Sequence, residues 1–195
     1  MRIWPVLALA AIALGGCATQ SSRSPYPGSD TLRAVAESFT LRGKMGVRTP
    51  GVGHSAALIW HQRGESFDIE LKGPLGIGRT ELIGTPAQVT ITDRDGARDY
   101  ADPARALMAE LGWSPPLAAL RYWAVGVPQP GITFERLPSA ANLPQARFIQ
   151  SGWTVEVGQL ADYGQWTLPR KLTLTNGQTR LRLVATQWQI PATTD

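Results

Sequence analysis

The chain has a single cysteine, Cys17, and only two histidines, His54 and His61. A lone cysteine excludes an intramolecular disulfide, so the fold must stand on its own core. The histidines fall seven residues apart in one predicted strand, with no carboxylate or thiol at ligand spacing. They read as partly exposed strand residues, not as a metal site. No G-x-S-x-G elbow occurs. Ser55 adjoins His54, but neighbours on a strand face opposite ways and cannot form a relay. The glycines of residues 73–78 have no Lys-Ser/Thr pair to hold a phosphate. Asp93-Arg94-Asp95-Gly96 lacks the rest of a calcium loop and reads as a hairpin turn. Asp68 and Glu70 share a strand face, which an exposed polar surface explains. Charged residues make up only 17 %, and the net charge of +4 is scattered, which argues against a nucleic-acid partner. The longest apolar stretch, residues 3–16, is about 14 residues and too short to span a ~30 Å hydrocarbon core.

That stretch is informative in another way. Arg2 supplies a positive start, residues 6–14 an apolar centre, and Leu14-Gly15-Gly16-Cys17 a small-residue cut before the cysteine. Residues 1–16 are therefore expected to be a cleaved lipoprotein signal, with Cys17 carrying a diacylglyceryl group on its thiol and a further acyl chain on the freed amine. Residues 17–29 hold Ser21, Ser22, Ser24, Pro25 and Pro27 and read as a lipidated N-terminus and flexible tether. Residues 30–191 would form one domain.

Hydrophobic residues at 43 % fit a globular domain. A short helix is expected over residues 31–37, with Asp30 as its N-cap. From Phe39 the period becomes two: Phe39, Leu41, Met45 and Val47 alternate with polar residues, and Gly43 and Gly46 suggest curvature or close backbone approach. Further strands are expected over 56–61, 67–71, 80–83, 88–92, 98–100, 147–150, 153–157, 171–175 and 178–188. Asn176-Gly177 is a strong hairpin signal. Two amphipathic helices interrupt them. Asp102 caps the first, Pro103 opens it, Gly112 ends it, and Ala104, Leu107, Met108 and Leu111 form a stripe. Ser114 and Pro115 open the second, with Leu117, Leu120, Trp123 and Ala124 on one side. About ten or eleven antiparallel strands imply a curled or closing sheet, with the helices over its concave face. In Gly73-Pro74-Leu75-Gly76-Ile77-Gly78, the aliphatic Leu75 is either folded back on the core or exposed by design.

Several motifs together resemble the LolB family, the outer-membrane lipoproteins that receive other lipoproteins from the periplasmic carrier LolA. They are the lipobox at Cys17, Phe39-x-Leu41-x-Gly43-Lys44, Ser55-Ala56-Ala57-Leu58-Ile59-Trp60, Pro74-Leu75-Gly76, Leu111-Gly112-Trp113 and Leu120-x-Tyr122-Trp123-x-x-Gly126-x-Pro128. The resemblance implies an unclosed antiparallel β-barrel of about eleven strands with helices as a lid over an apolar cavity. It implies lipidation at Cys17 and outer-membrane placement, since Ala18, not Asp, follows the cysteine. It implies a membrane-insertion loop of Gly73, Pro74, Leu75 and Gly76, with Leu75 protruding. Gly73 departs from a family member that has Asn there.

The expected partners are a LolA-type carrier, lipoprotein cargo bound through its acyl chains, and outer-membrane lipid. The chain is expected to act as a monomer, without enzymatic activity, ATP, metal or cofactor beyond the acyl groups on Cys17. The strand residues expected to line the cavity are Leu58, Trp60, Phe67, Ile69, Leu71, Leu82, Phe148 and Leu183. From the helices come Leu107, Leu111, Leu120 and Trp123. A filled core would produce the same alternation, so residue pattern alone leaves these side chains divided between cavity and core. The competing reading is an envelope assembly lipoprotein that binds only proteins. An envelope hydrolase lacks a nucleophile or metal constellation, and a soluble carrier would lack Cys17.

Overall fold

The computed structural model describes residues 29–74, 78–138 and 146–191. Expectations for residues 1–28, and for Leu75 and Gly76, fall outside the described residues, as does the side chain of Leu111. Helix α1 (Ser29–Glu37) leads into six strands: β1 (Ser38–Thr49), β2 (Val52–Arg63), β3 (Ser66–Lys72), β4 (Arg79–Thr85), β5 (Gln88–Asp93) and β6 (Gly96–Tyr100). Helices α2 (Pro103–Leu111) and α3 (Leu117–Ala124) follow. Strands then resume with β7 (Phe134–Arg136), β8 (Ala146–Gln150), β9 (Trp153–Val157), β10 (Leu160–Tyr163), β11 (Trp166–Pro169), β12 (Lys171–Asn176) and β13 (Thr179–Gln189).

Eleven strands form one antiparallel sheet, ordered β6-β5-β4-β3-β2-β1-β13-β12-β9-β8-β7. Its edge strands β6 and β7 do not pair with each other, so the barrel stays open as expected. β10 and β11 pair only with each other. These two and β7 were not anticipated, because runs of three and four residues are too short to display a period.

Alternation decides which face is buried. In β1, Phe39, Leu41 and Val47 point inward, while Arg42, Lys44 and Arg48 are exposed. At the central seam the Phe39 ring meets Trp60 of β2 and Trp188 of β13 edge-on, each at 5.1 Å. Each such pair adds about 0.5–1.5 kcal/mol beyond area burial. Gly43 sits where the β1–β13 register shifts, and a Cβ there would collide with the Val184 carbonyl oxygen. The close approach expected of glycine is thus real at Gly43.

The helices depart from expectation in detail. Asp30 lies inside α1 and pairs with Arg33 at 3.0 Å instead of capping the helix. In α2, Asp102 does cap, accepting from the Arg105 backbone N–H at 3.0 Å, and Gly112 ends the helix at φ +75°. The expected stripe is rotated. Ala106 and Leu107 are buried, whereas Met108 is 55 % exposed and Ala104 is exposed. The cause is Glu110, which accepts from Tyr100 Oη at 2.5 Å and from Arg98 at 3.3 Å, fixing the helix against β6 with Leu107 turned under. α3 starts after Pro116 with no side-chain cap, so Ser114 does not open it.

Candidate functional site

An apolar cavity of about 70 Å³ lies between the sheet and the two helices. Its walls are Met45 of β1, Leu58 and Trp60 of β2, Ile69 and Leu71 of β3, Leu82 of β4, Leu172 and Leu174 of β12, and Leu181 and Leu183 of β13. Its roof is Leu107 of α2, Leu117, Leu120 and Ala124 of α3, and Trp113 and Pro115 between them. The indole N–H of Trp60 donates to Gln62 Oε1 at 2.9 Å, and the Gln62 amide donates to the Gly64 carbonyl at 2.7 Å. The polar end of that ring is therefore satisfied away from the cavity.

Eight of the expected lining residues border this space: Leu58, Trp60, Ile69, Leu71, Leu82, Leu107, Leu120 and Leu183. Phe67, Trp123 and Phe148 do not. Phe67 is buried on β3 opposite Gln62. Trp123 is turned to Gln150, and Phe148 packs edge-on against Phe134 at 6.1 Å. Among the residues not anticipated, Leu172, Leu174 and Leu181 had a usable signal. The Asn176-Gly177 turn sets Leu174 opposite Leu181 and Leu172 opposite Leu183, which puts all four on one face. Trp113 and Pro115 had none, since they sit in a connection without periodicity.

Met45, Leu71 and Trp113 also border a second hollow of about 190 Å³, together with Val47, His54, Ser55, Ala56 and Glu110. These shared side chains separate the inner cavity from a mouth. The β1–β2, β3–β4 and β12–β13 connections all lie at that end of the sheet, as their registers require. Gly73 N–H donates to the Gly78 carbonyl at 3.0 Å, closing the base of the 73–78 segment. Leu75 and Gly76 lie outside the described residues. The histidines are seven apart on β2 and so face opposite sides of it: His54 borders the mouth, while His61 Nδ1 lies 2.9 Å from Thr40 Oγ1. Among the described residues no group of three or more His, Cys, Asp or Glu could hold a metal ion.

The two roof helices are fastened differently. α3 has fully buried Ala119 and Trp123 beneath it. Arg121 Nη1 donates to Glu37 Oε2 at 3.1 Å and to the Gly64 carbonyl, and Tyr122 Oη donates to Glu37 Oε1 at 2.8 Å. Burial, then the bond to Glu37, raises the Tyr122 pKa above its ordinary value. Among the described residues, α2 has no comparable network beyond Glu110 and its partners on β6. There the Arg98 guanidinium, followed by the Asp95 N–H, holds the Asp93 carboxyl below its ordinary value.

Residues 37–188, which hold the sheet, both roof helices and the cavity, match the family described as outer membrane lipoprotein LolB. The chain belongs to the LolB family. A relative from Chromohalobacter salexigens, named outer-membrane lipoprotein LolB, is 36 % identical over 97 % of this chain and 91 % of its own. Relatives of the same name from Alkalilimnicola ehrlichii and Pseudomonas aeruginosa are 34 % and 32 % identical, over 95 % and 97 % of this chain and 96 % and 97 % of theirs. In fold, this LolB chain resembles a LolA superfamily protein from Nitrosomonas europaea. The TM-score is 0.52 at 5 % identity, over 86 % of this chain and 95 % of that one. A DUF1329 family protein from Desulfovibrio piger gives 0.55 at 4 % identity, over 86 % and 92 %. The likeness to these two structures is one of fold alone.

Proposed function

We propose that this LolB chain receives lipoproteins from a LolA-type periplasmic carrier, shelters their acyl chains under α2 and α3, and releases them into the outer membrane. The observation that carries this reading is the all-apolar lining contributed by both sheet and roof. A sixteen-carbon chain exposed to water costs on the order of 12 kcal/mol, at ~0.8 per CH₂. A site that accepts such a chain needs carbon on every side and no unpaired polar group. Transfer without ATP requires only falling free energy from carrier to this cavity to bilayer. Cys17 would carry the protein's own acyl anchor after removal of residues 1–16, and Leu75 would lead cargo into the membrane. Residues 17–29 would tether the domain of residues 30–191, which would act as a monomer and without covalent chemistry.

The cavity volume decides one feature of the mechanism. A dry apolar void of ~150 Å³ holds a benzene; about 70 Å³ holds less. In the described state the space is too small for an acyl chain, so loading would need the walls or the roof to part. Among the described residues, α2 and the 112–116 connection are the roof parts with the fewest side-chain bonds to break. Their displacement would join the cavity to the mouth past Trp113.

The same small volume favours one other reading, an assembly lipoprotein with a filled interior that binds only proteins. Titration with an environment-sensitive fluorescent fatty acid separates the two. The transfer reading expects saturable uptake, displaced by a triacylated peptide and not by the same peptide without acyl groups. In cells, depletion should leave lipoproteins on the periplasmic carrier. No uptake together with normal outer-membrane delivery after depletion would leave only the assembly reading.

A further inference from the structure

The four central strands, β12, β13, β1 and β2, contain no Asp or Glu and seven Lys or Arg residues. Three of these cations meet on the face opposite the helices. Arg48 of β1 lies directly across from Arg180 of β13, and the next outward row pairs Gly46 with Arg182. On the other side of β1, Arg48 faces Gly53 and Gly46 faces Ser55 of β2. Like charges in directly opposed positions repel. Among the described residues, none of the three arginines has an ion-pair partner.

The floor between them is bare. A Cβ on Gly46 would come no closer than 3.8 Å to any atom, and one on Gly53 no closer than 4.0 Å, both ordinary contact distances. Neither residue has a positive φ. Backbone geometry does not call for glycine at either place, and its presence leaves an open hollow of about 410 Å³ edged by Arg48, Arg180 and Arg182. The hairpin beside it, between β1 and β2, carries Pro50 and a half-exposed Val52. An apolar tip flanked by unpaired guanidinium groups suits a bilayer interface: carbon enters the headgroup layer, and arginine meets phosphate.

We propose that Arg48, Arg180 and Arg182 form a docking site for the phosphate groups of an anionic phospholipid surface. The site lies at the mouth end of the sheet, beside the β1–β2 hairpin, and would hold the mouth toward the membrane. The proposal goes beyond lipoprotein transfer and takes from it only that this end meets lipid. It does not need an acyl cavity.

The test uses the mature chain, residues 17–195, with Cys17→Ala, so that acyl insertion does not mask headgroup binding. Co-sedimentation is measured with vesicles of phosphatidylcholine alone and of phosphatidylcholine mixed with phosphatidylglycerol. Binding should need phosphatidylglycerol and fall steeply with added salt. At about fivefold per cation near an anionic surface, removing all three with Arg48→Gln, Arg180→Gln and Arg182→Gln should cost roughly 100-fold. A charge-matched control carrying Arg63→Gln, Arg105→Gln and Arg136→Gln should lose far less. Gly46→Glu, which places a carboxylate on the hollow floor with room for its Cβ, should weaken binding with the arginines intact. Fatty-acid uptake, measured on each variant, should stay unchanged. Equal binding to both vesicle types, or equal losses in the two triple variants, overturns the proposal. So does a patch that binds an acidic carrier protein and not vesicles. Loss of fatty-acid uptake in the unsubstituted chain would instead count against the transfer reading and leave headgroup docking standing.

Discussion

The indole N–H of Trp123 donates to Gln150 Oε1 at 2.8 Å, with both side chains buried. The same oxygen accepts from the Gln129 N–H at 2.8 Å, and the Gln150 amide donates to the Gln129 and Ile132 carbonyls, each at 3.0 Å. One side chain thus joins α3, β8 and the segment after α3. Gln150→Leu keeps the volume and leaves all four partners without it. A buried orphan costs ~1–3 kcal/mol. Urea unfolding should therefore show a loss of about 3 kcal/mol or more. A loss under ~1 kcal/mol would mean that water replaces the amide and that α3 is not held by this network.

If α3 is fixed and α2 is the moving part, their amides should exchange with solvent differently. Among the described residues, openings that expose α2 break the Glu110 bonds and uncover Ala106 and Leu107. Openings that expose α3 must break the Gln150 and Glu37 networks together. Native-state hydrogen exchange should find α2 amides opening at well below the global free energy and α3 amides near it. Equal protection across both helices would mean that the roof lifts as one piece.

Acid should loosen α2 first. The Asp93 carboxyl is lowered by the hydrogen bond from Arg98 and then by that from the Asp95 N–H, and Arg98 in turn reaches Glu110. A carboxyl depressed in the folded state contributes stability that is present above its unfolded value, near 3.9, and is lost as pH falls through the lower folded value. NMR shifts of α2 amides should therefore be flat above pH ~5 and move below pH ~4, ahead of global unfolding. Asp93→Asn should remove that acid step. Identical acid profiles for the two proteins would mean that Asp93 does not hold the helix.

The strands that sequence made legible were those long enough to alternate. β1, with buried Phe39, Leu41 and Val47, shows at least five repeats of the period, and β13 nearly as many. β10 and β11 have four residues each and include Asp162 and Pro169, so nothing periodic marks them. Cavity and core proved harder to separate. Leu58 and Phe67 are equally buried and equally apolar, and only register decides that one borders the cavity and the other does not. The roof was half visible. Asp102, Pro103 and Gly112 marked α2 through local backbone chemistry, but its rotation depends on Glu110 meeting Arg98 and Tyr100, a contact between elements.

Leu75→Glu tests the delivery step apart from cargo acceptance. A carboxylate resists entering hydrocarbon, whereas a leucine does not. The variant should keep its melting temperature and its uptake of acylated peptide. Insertion of cargo into vesicles should fall by about tenfold or more, a charge near the bilayer centre costing at least ~2.5 kcal/mol. Unchanged insertion would mean that Leu75 does not lead cargo into the membrane.

Arg180→Glu separates stability from membrane docking. It replaces a like-charged pair across β1 and β13 with an opposite-charged one, facing Arg48. Cross-strand pairs of opposite charge contribute ~0.2–1 kcal/mol, and like charges oppose folding by similar amounts. The two effects add, so the melting temperature should rise, by up to about 8 °C for a chain of this size. Binding to phosphatidylglycerol vesicles should fall in the same protein, because one guanidinium is removed and a second is neutralised by its new neighbour. A variant that is more stable yet docks less well would mean that the Arg48–Arg180 opposition opposes folding and serves headgroup binding. A drop in melting temperature would show instead that Arg180 is stabilised by its surroundings, and that charge repulsion across this seam is already relieved without lipid.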